Sequence, residues 1–228
     1  MKLKPISFSL ESNQDSPETF HRLEPVSVTD LQTQARLPTM MIPPAEDISY
    51  LRTLIGAARE QVESVECRIQ LLDATFDGFL DAFPPLCSNL YGDYRLIELP
   101  KPPLLEVVSV NYKDEDGTEQ VLDPSLYSVE TNWTEGVMPA QLPALGHILL
   151  GYDEEWPTTR LEKDAVRIRF RAGFGDTPAE VPNAIRQFIQ ILAATMYEHR
   201  EREAEGRMGE LQYVSGLLDP WRAPRVIA

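Results

Sequence analysis

Ala165-Val166-Arg167-Ile168-Arg169-Phe170-Arg171-Ala172 is the stretch that decides the fold class. Val166, Ile168 and Phe170 alternate with Arg167, Arg169 and Arg171. Only an extended chain, whose successive side chains point to opposite faces, puts three apolar groups on one side and three guanidiniums on the other. The strand ends at Gly173-Phe174-Gly175-Asp176. Upstream the same character recurs in short runs. Thr75 to Phe83 stops at Pro84-Pro85, Arg95 to Leu99 is closed by Pro100-Lys101-Pro102-Pro103, and Leu105 to Tyr112 follows. Asp114-Glu115-Asp116-Gly117 is a turn, with Asp116-Gly117 its hairpin signal. Glu119 to Leu122, Tyr127 to Glu130 and His147 to Leu150 complete a β region over 74–172. Hairpin-length links between strands imply antiparallel pairing, not βαβ units.

Helices flank this region. Thr29 can cap a short helix over 28–37 that ends before Pro38. In 44–72, Ile48, Leu51, Ile55, Ala58, Val62, Val65 and Ile69 recur at spacings of three and four, one stripe along about six turns. Arg52, Arg59, Glu60, Glu63 and Glu66 fall off the stripe. Pro43, Pro44, Glu46 and Asp47 suit the start of that helix. The stripe fits packing on the chain's own sheet or on a neighbouring subunit, and by itself does not decide between them. A second long helix is expected over 181–205, with Ile185, Phe188, Ile189, Leu192, Met196 and His199 on one face. The class is therefore α+β, long helices packed with a small antiparallel β region. Residues 1–25 are polar and lack periodicity, and read as an extended arm that a partner would order. Residues 26–210 form the domain and 211–228 a tail.

Composition narrows the function. The chain has 228 residues, 43% of them hydrophobic, enough for an ordinary core. The most apolar stretch, Ile185 to Met196, is short and broken by Arg186, Gln187 and Gln190, so no membrane span is expected. Met1 to Leu10 lack the apolar run of a secretory signal, which places the chain in the compartment where it is made. Cys67, in a helix, and Cys87, in a loop, read as free thiols. A formal charge of −15 argues against gripping nucleic acid, because phosphate binding needs Lys and Arg. It suits a conduit that DNA passes without sticking, and equally a soluble acidic surface.

Reaction machinery is not evident. Gly173-Phe174-Gly175 lacks the third glycine and the lysine of a phosphate loop, and no Gly-x-Ser-x-Gly elbow occurs. His21, His147 and His199 lie in an arm, a strand and a helix end, not at metal-ligand spacing. Asp114-Glu115-Asp116 and Asp153-Glu154-Glu155 are acidic runs of the kind a hydrolase or cation site uses, but consecutive acids on turns face water. No cofactor, metal or catalytic residue is assigned. Arg167, Arg169 and Arg171 are expected to meet a neighbouring subunit.

Taken in order, several segments resemble one family. They are Asp47 to Leu51 with Ala57 to Glu63, Leu80 to Pro84, Ile97 to Leu104, Val108 to Tyr112 and Asp114 to Gly117. Leu122 to Tyr127, Trp156-Pro157, Val166 to Asp176, Val181 to Gln187 and Tyr197 to Glu201 complete the set. This series resembles the head–tail connector (adaptor) proteins of tailed bacteriophages and gene transfer agents, over roughly residues 26–225. The resemblance implies a non-enzymatic virion protein that forms a ring, commonly dodecameric, between portal and downstream neck or tail proteins, and continues the DNA channel. It implies residence at the virion neck, and in the host cytoplasm before assembly. Its partners would be the portal, a stopper or tail terminator, and further copies of itself. The tail would engage the portal through Val214, Leu217, Leu218, Pro220, Trp221, Arg222 and Arg225, with Trp221 the anchor. Another ring component, a stopper or terminator, or a phage-encoded hydrolase using the acidic loops, are the competing readings. The arm and residues 131–145 depart most from the family pattern.

Overall fold

The computed structural model describes residues 1–8, 10–13, 16–37, 45–84, 87–89, 92–94, 96–131, 145–199 and 216–223. In chain order the elements are β1 (Lys2–Phe8), β2 (Leu10–Asn13), β3 (Ser16–Arg22), α1 (Val28–Gln34), α2 (Ala45–Gln61), β4 (Ala74–Leu80), β5 (Cys87–Asn89), β6 (Gly92–Tyr94), β7 (Leu96–Leu99), β8 (Leu104–Lys113), β9 (Glu119–Val121), β10 (Tyr127–Glu130), β11 (Gly146–Leu150), β12 (Val166–Ala172) and α3 (Asn183–Glu198). The class is α+β, and every strand pairing is antiparallel. The chain divides into two compact units, residues 1–8, 73–173 and 223–228, and residues 9–72 and 174–222.

The first unit holds a five-stranded sheet in the order β1-β4-β12-β8-β9 and a three-stranded sheet in the order β10-β11-β7. β12 is central and alternates as its sequence dictates. Val166, Ile168, Phe170 and Ala172 are fully buried, and the arginines between them face outward. Phe76 of β4 stacks on Phe170 at 5.7 Å. These residues share a core with Leu99, Leu104, Val110 and Ile148. The loop from β11 to β12 is pinned by Trp156, whose ring lies flat on Phe83 at 4.8 Å and 4°.

The arm expected over 1–25 is instead largely strand. Lys2–Phe8 pairs with β4 in register Lys4↔Asp77, and β2 pairs with β3. Cys87 likewise belongs to a short hairpin, β5 with β6, not a loop.

The second unit contains the helices. α1 is capped by Ser27, not Thr29, in a capping box in which Ser27 Oγ accepts from the Asp30 amide and Asp30 accepts from the Ser27 amide. It stops at Gln34, short of 37. α2 follows its stripe through Leu51, Ile55, Ala58 and Val62, all buried. The helix expected to run to 72 ends in a π turn over Val62–Glu66, capped by Cys67. The π turn takes more residues per turn, so the stripe loses phase. Val65, expected inside, is 66% exposed, and Ile69 is buried from an extended segment. Along α3, Ile185, Phe188, Ile189, Ala193 and Ala194 are buried, Leu192 and Met196 half-buried and His199 exposed. Pro43 and Pro44, residues 200–205 of the expected helix and residues 132–144 lie outside the described residues. No helix among the described residues is long and apolar enough to cross a membrane.

Candidate functional site

Two features expected to meet partners can be built from their residues. On β12, each guanidinium finds carboxylates within its own sheet. Arg169 Nε and Nη2 donate to Asp77 Oδ1 and Oδ2 at 2.9 and 3.0 Å, from a strand position directly opposite. Arg171 grips Asp73 and donates from Nη1 to Glu106 at 2.8 Å. Arg167 donates to Glu119 at 2.5 Å. Charge-assisted bonds to Asp77 raise the Arg169 pKa, and those to Asp73 and then Glu106 raise that of Arg171. The expected contact face is thus a ladder of three cations and four carboxylates, neutralised in the chain itself. The carboxylates were the residues sequence reasoning missed. Their signal was present: Asp77 interrupts the apolar run of β4, where only a cation on the adjacent strand would suit it.

The tail segment is built differently from a free anchor. Leu218 is fully buried and Trp221 is 3% exposed, its ring edge-on to Phe174 at 5.7 Å and 79°. The Trp221 amide donates to Leu218 O at 2.8 Å, closing the short turn Asp219–Trp221. Arg222 lies 3.5 Å from Glu66 and 3.6 Å from Asp219. Leu218 and Trp221, two of the groups expected to face a partner, are buried inside the chain's own fold. Leu217 is half-buried, and Asp219, Pro220 and Arg222 stay exposed. Val214 and Arg225 lie outside the described residues.

A third feature was not foreseen. Arg59 and Glu63, which fall off the apolar stripe, are each 4% exposed. Glu63 accepts from Arg59 Nη1 at 2.8 Å, Arg22 Nη2 at 3.1 Å, Gln70 Nε2 at 3.0 Å and the Leu71 amide at 3.2 Å. Arg59 Nε donates to Glu24 at 2.8 Å. Burial lowers the Arg22 pKa and raises that of Glu24. Burial also opposes the charge on Arg59, but Glu63 and Glu24 outweigh it and hold the guanidinium above its ordinary value. Two cations and two anions close a neutral, buried quartet that fastens residues 22–24 and 70–71 to α2. The i,i+4 pair of opposite charge was its trace in the sequence.

Other candidates have ordinary structural roles. Asp114 accepts from the Thr118 amide at 2.8 Å and from Gln120, whose bond leads in depressing its pKa. The Cys67 thiol is pushed up to about 12 by burial, which makes it inert. His147 lies 3.9 Å from Glu98 across the strands. Among the described residues no group of three His, Cys, Asp or Glu could hold a metal ion.

Neither a family model nor a curated protein sequence matches the chain. Solved structures do. A chain in the neck of an empty gene transfer agent (GTA) particle, in C6 symmetry, is 23% identical with a TM-score of 0.66. A chain in the virion of a native GTA particle is 20% identical with a TM-score of 0.63. A third, in the neck of a native GTA particle in C12 symmetry, is 22% identical with a TM-score of 0.56. Each comparison covers 100% of this chain and 98% of the other. At this level of identity the likeness is one of fold, end to end.

Proposed function

We propose that this chain is a structural protein of the neck of a phage-like particle. In this reading it is an adaptor that assembles as a ring between portal and downstream neck or tail proteins. The observation that carries the reading is the match to chains from GTA necks and virions over 100% of this chain and 98% of the other. The absence of any assembled reaction site among the described residues agrees with it but does not carry it.

In this reading the ring, of six- or twelvefold order like the symmetry used for the neighbours, continues the DNA channel. Its charge of −15 keeps phosphate from adhering to the bore. The tail meets the portal through Leu217, Asp219, Pro220 and Arg222, with Leu218 and Trp221 as its footing. The β12 ladder meets a neighbouring copy through the guanidinium edges left outside its in-chain pairs.

Deleting the gene is the direct test. An adaptor leaves packaged heads without tails, whereas a tail terminator leaves tails of abnormal length. Cryo-EM of wild-type particles places the chain at the neck on this reading, and its presence elsewhere would overturn it. Mass measurement of the purified chain gives a monomer alone and a large ring with the portal.

A further inference from the structure

The five-stranded sheet of the first unit ends in strands that have no neighbouring strand on their outer side among the described residues. These are β1 at one edge, and β8 with the short β9 at the other. β9 covers β8 only at 111–113. The Leu122 amide still donates to Val110 O at 2.8 Å, and beyond it the outer side of β8 over 104–109 carries no strand among the described residues. Such edges leave backbone N–H and C=O groups free to pair. Both also hold apolar side chains out in solvent. Ile6 is 45% exposed on β1, Val108 53% on β8 and Val121 65% on β9.

The two edges differ in charge. Residues 1–8 contain Lys2 and Lys4 and no carboxylate, whereas residues 114–126 contain Asp114, Glu115, Asp116, Glu119 and Asp123 and no Lys or Arg. Pairs within the chain do not cancel the difference. Lys2 is bound to Asp164 at 3.2 Å, but Lys4 is exposed and has no ion pair among the described residues. It lies opposite Asp77, which Arg169 already holds. At the other edge Arg167 pairs with Glu119, Arg160 lies over Gly117, and exposed Lys163 follows it. Those three cations still leave two of the five carboxylates unmatched. Lysine and proline on an edge strand blunt it against stray pairing. Lys4 and Pro5 do so toward another basic edge, but not toward an acidic one. The charge of −15 opposes contact between copies in general, and a basic edge on an acidic edge is where that repulsion reverses locally.

Strand direction fits as well. Every pairing in the sheet is antiparallel, so β1 and β9 run one way and β8 the other. A copy added beside the β8–β9 edge with its strands aligned lays its β1 antiparallel to the free stretch of β8. One edge meeting the other is a heterologous contact, the kind that repeats around a ring, whereas an edge meeting itself closes a pair. We propose that β1 of one copy pairs with the free edge of β8, beside β9, of the next, so that the sheets run on from copy to copy. This adds a second contact between copies to that of the β12 ladder and rests on the neck reading.

The test uses the full chain in whole particles, carrying Ile6→Cys with Val108→Cys, or Ile6→Cys with Val121→Cys. Within one chain β4 and β12 stand between these positions, which sets their backbones at least about 14 Å apart. A disulfide reaches only about 7 Å between Cα atoms, so one formed here joins two copies. Mild oxidation should give, from at least one of the pairs, a series of covalent oligomers extending beyond the dimer on non-reducing gels. The single-cysteine variants should give no such series. Lys4→Glu in the same background should lower the yield about two- to fivefold, as for losing one exposed ion pair. No oligomers from either pair, dimers alone, or a yield that Lys4→Glu does not lower overturns the proposal. Absence of the wild-type chain from the neck would instead overturn the functional reading, so the two failures are distinguishable.

Discussion

Glu63→Ala is the most informative single change, because it removes the shared acceptor of the buried quartet. Four donors lose their carboxylate: Arg59 Nη1, Arg22 Nη2, Gln70 Nε2 and the Leu71 amide. Arg59 keeps Glu24, so it is not stranded, but the quartet passes from neutral to a net positive charge in a site that excludes water. Breaking a buried pair by removing one partner costs about 3–5 kcal/mol. The lower half of that range fits a guanidinium that retains Glu24 and Glu60. The orphaned Leu71 amide adds about 1 kcal/mol. The expected loss is therefore about 4 kcal/mol, or roughly 8–16 °C in melting temperature for a chain of this length. Thermal and urea unfolding followed by circular dichroism measure it. Arg59→Met with Glu63→Leu, which withdraws both charges, should cost less than Glu63→Ala alone. If Glu63→Ala falls within 1 kcal/mol of wild type, or the double variant costs as much as the single losses combined, the quartet is not a coupled unit.

Trp221→Ala should cost about 3–5 kcal/mol in urea unfolding, as for a large buried aromatic. A loss below 1 kcal/mol would mean that the segment is only laid on the surface. At the β12 ladder the costs should be asymmetric. The Asp77 side chain is 8% exposed and that of Arg169 39%. Arg169→Ala leaves a buried carboxylate without its partner and should cost about 1–3 kcal/mol, whereas Asp77→Ala leaves a cation that water can reach and should cost less. Glu24 supplies a pH test. Burial raises its folded pKa above the ordinary 4.5, so its contribution is fully present below that value and is lost as pH rises through the raised one. The stability of wild type relative to Glu24→Gln should therefore decline as pH rises from the ordinary carboxylate range through the raised pKa, and a relative gain would show that pairing to Arg59 outweighs burial.

Legibility followed the range of the interactions involved. The β12 alternation was readable because period two is a local property of the chain, and the burial pattern repeats it residue for residue. The α2 stripe was readable as far as Val62 for the same reason. It failed at Val65, where a π turn replaces the α-helix and Glu63 gathers Arg59 from the preceding turn, Gln70 and Leu71 from just beyond, and Arg22 from far off in sequence. The burial of Arg59 and Glu63 was not legible on the same account. A charged residue off an apolar stripe faces water unless another segment covers it, and the covering segments, residues 22–24 and 70–71, come from other stretches of sequence. The ladder was half legible: its cations announce themselves by alternation, while its anions are spread over Asp73, Asp77, Glu106 and Glu119, and only strand pairing brings them together. Trp221 was read as an anchor for a partner, whereas the structure buries it in the chain's own fold. Its socket is Phe174, 47 residues away in sequence, which no local pattern encodes.

These pairings bear on how such a chain can meet others. With 21 cations against 36 carboxylates, each in-chain pair removes one of the scarcer charge. Arg22 and Arg59 are consumed by the quartet, Arg167, Arg169 and Arg171 by the ladder, Lys2 and Lys113 by single carboxylates, and Arg222 by Glu66 and Asp219. The surface left to solvent is consequently more one-sidedly acidic than its composition suggests, because the missing cations are the ones already paired. A surface so biased attracts basic partners and repels acidic ones, a bias that follows from where the fold spends its arginines.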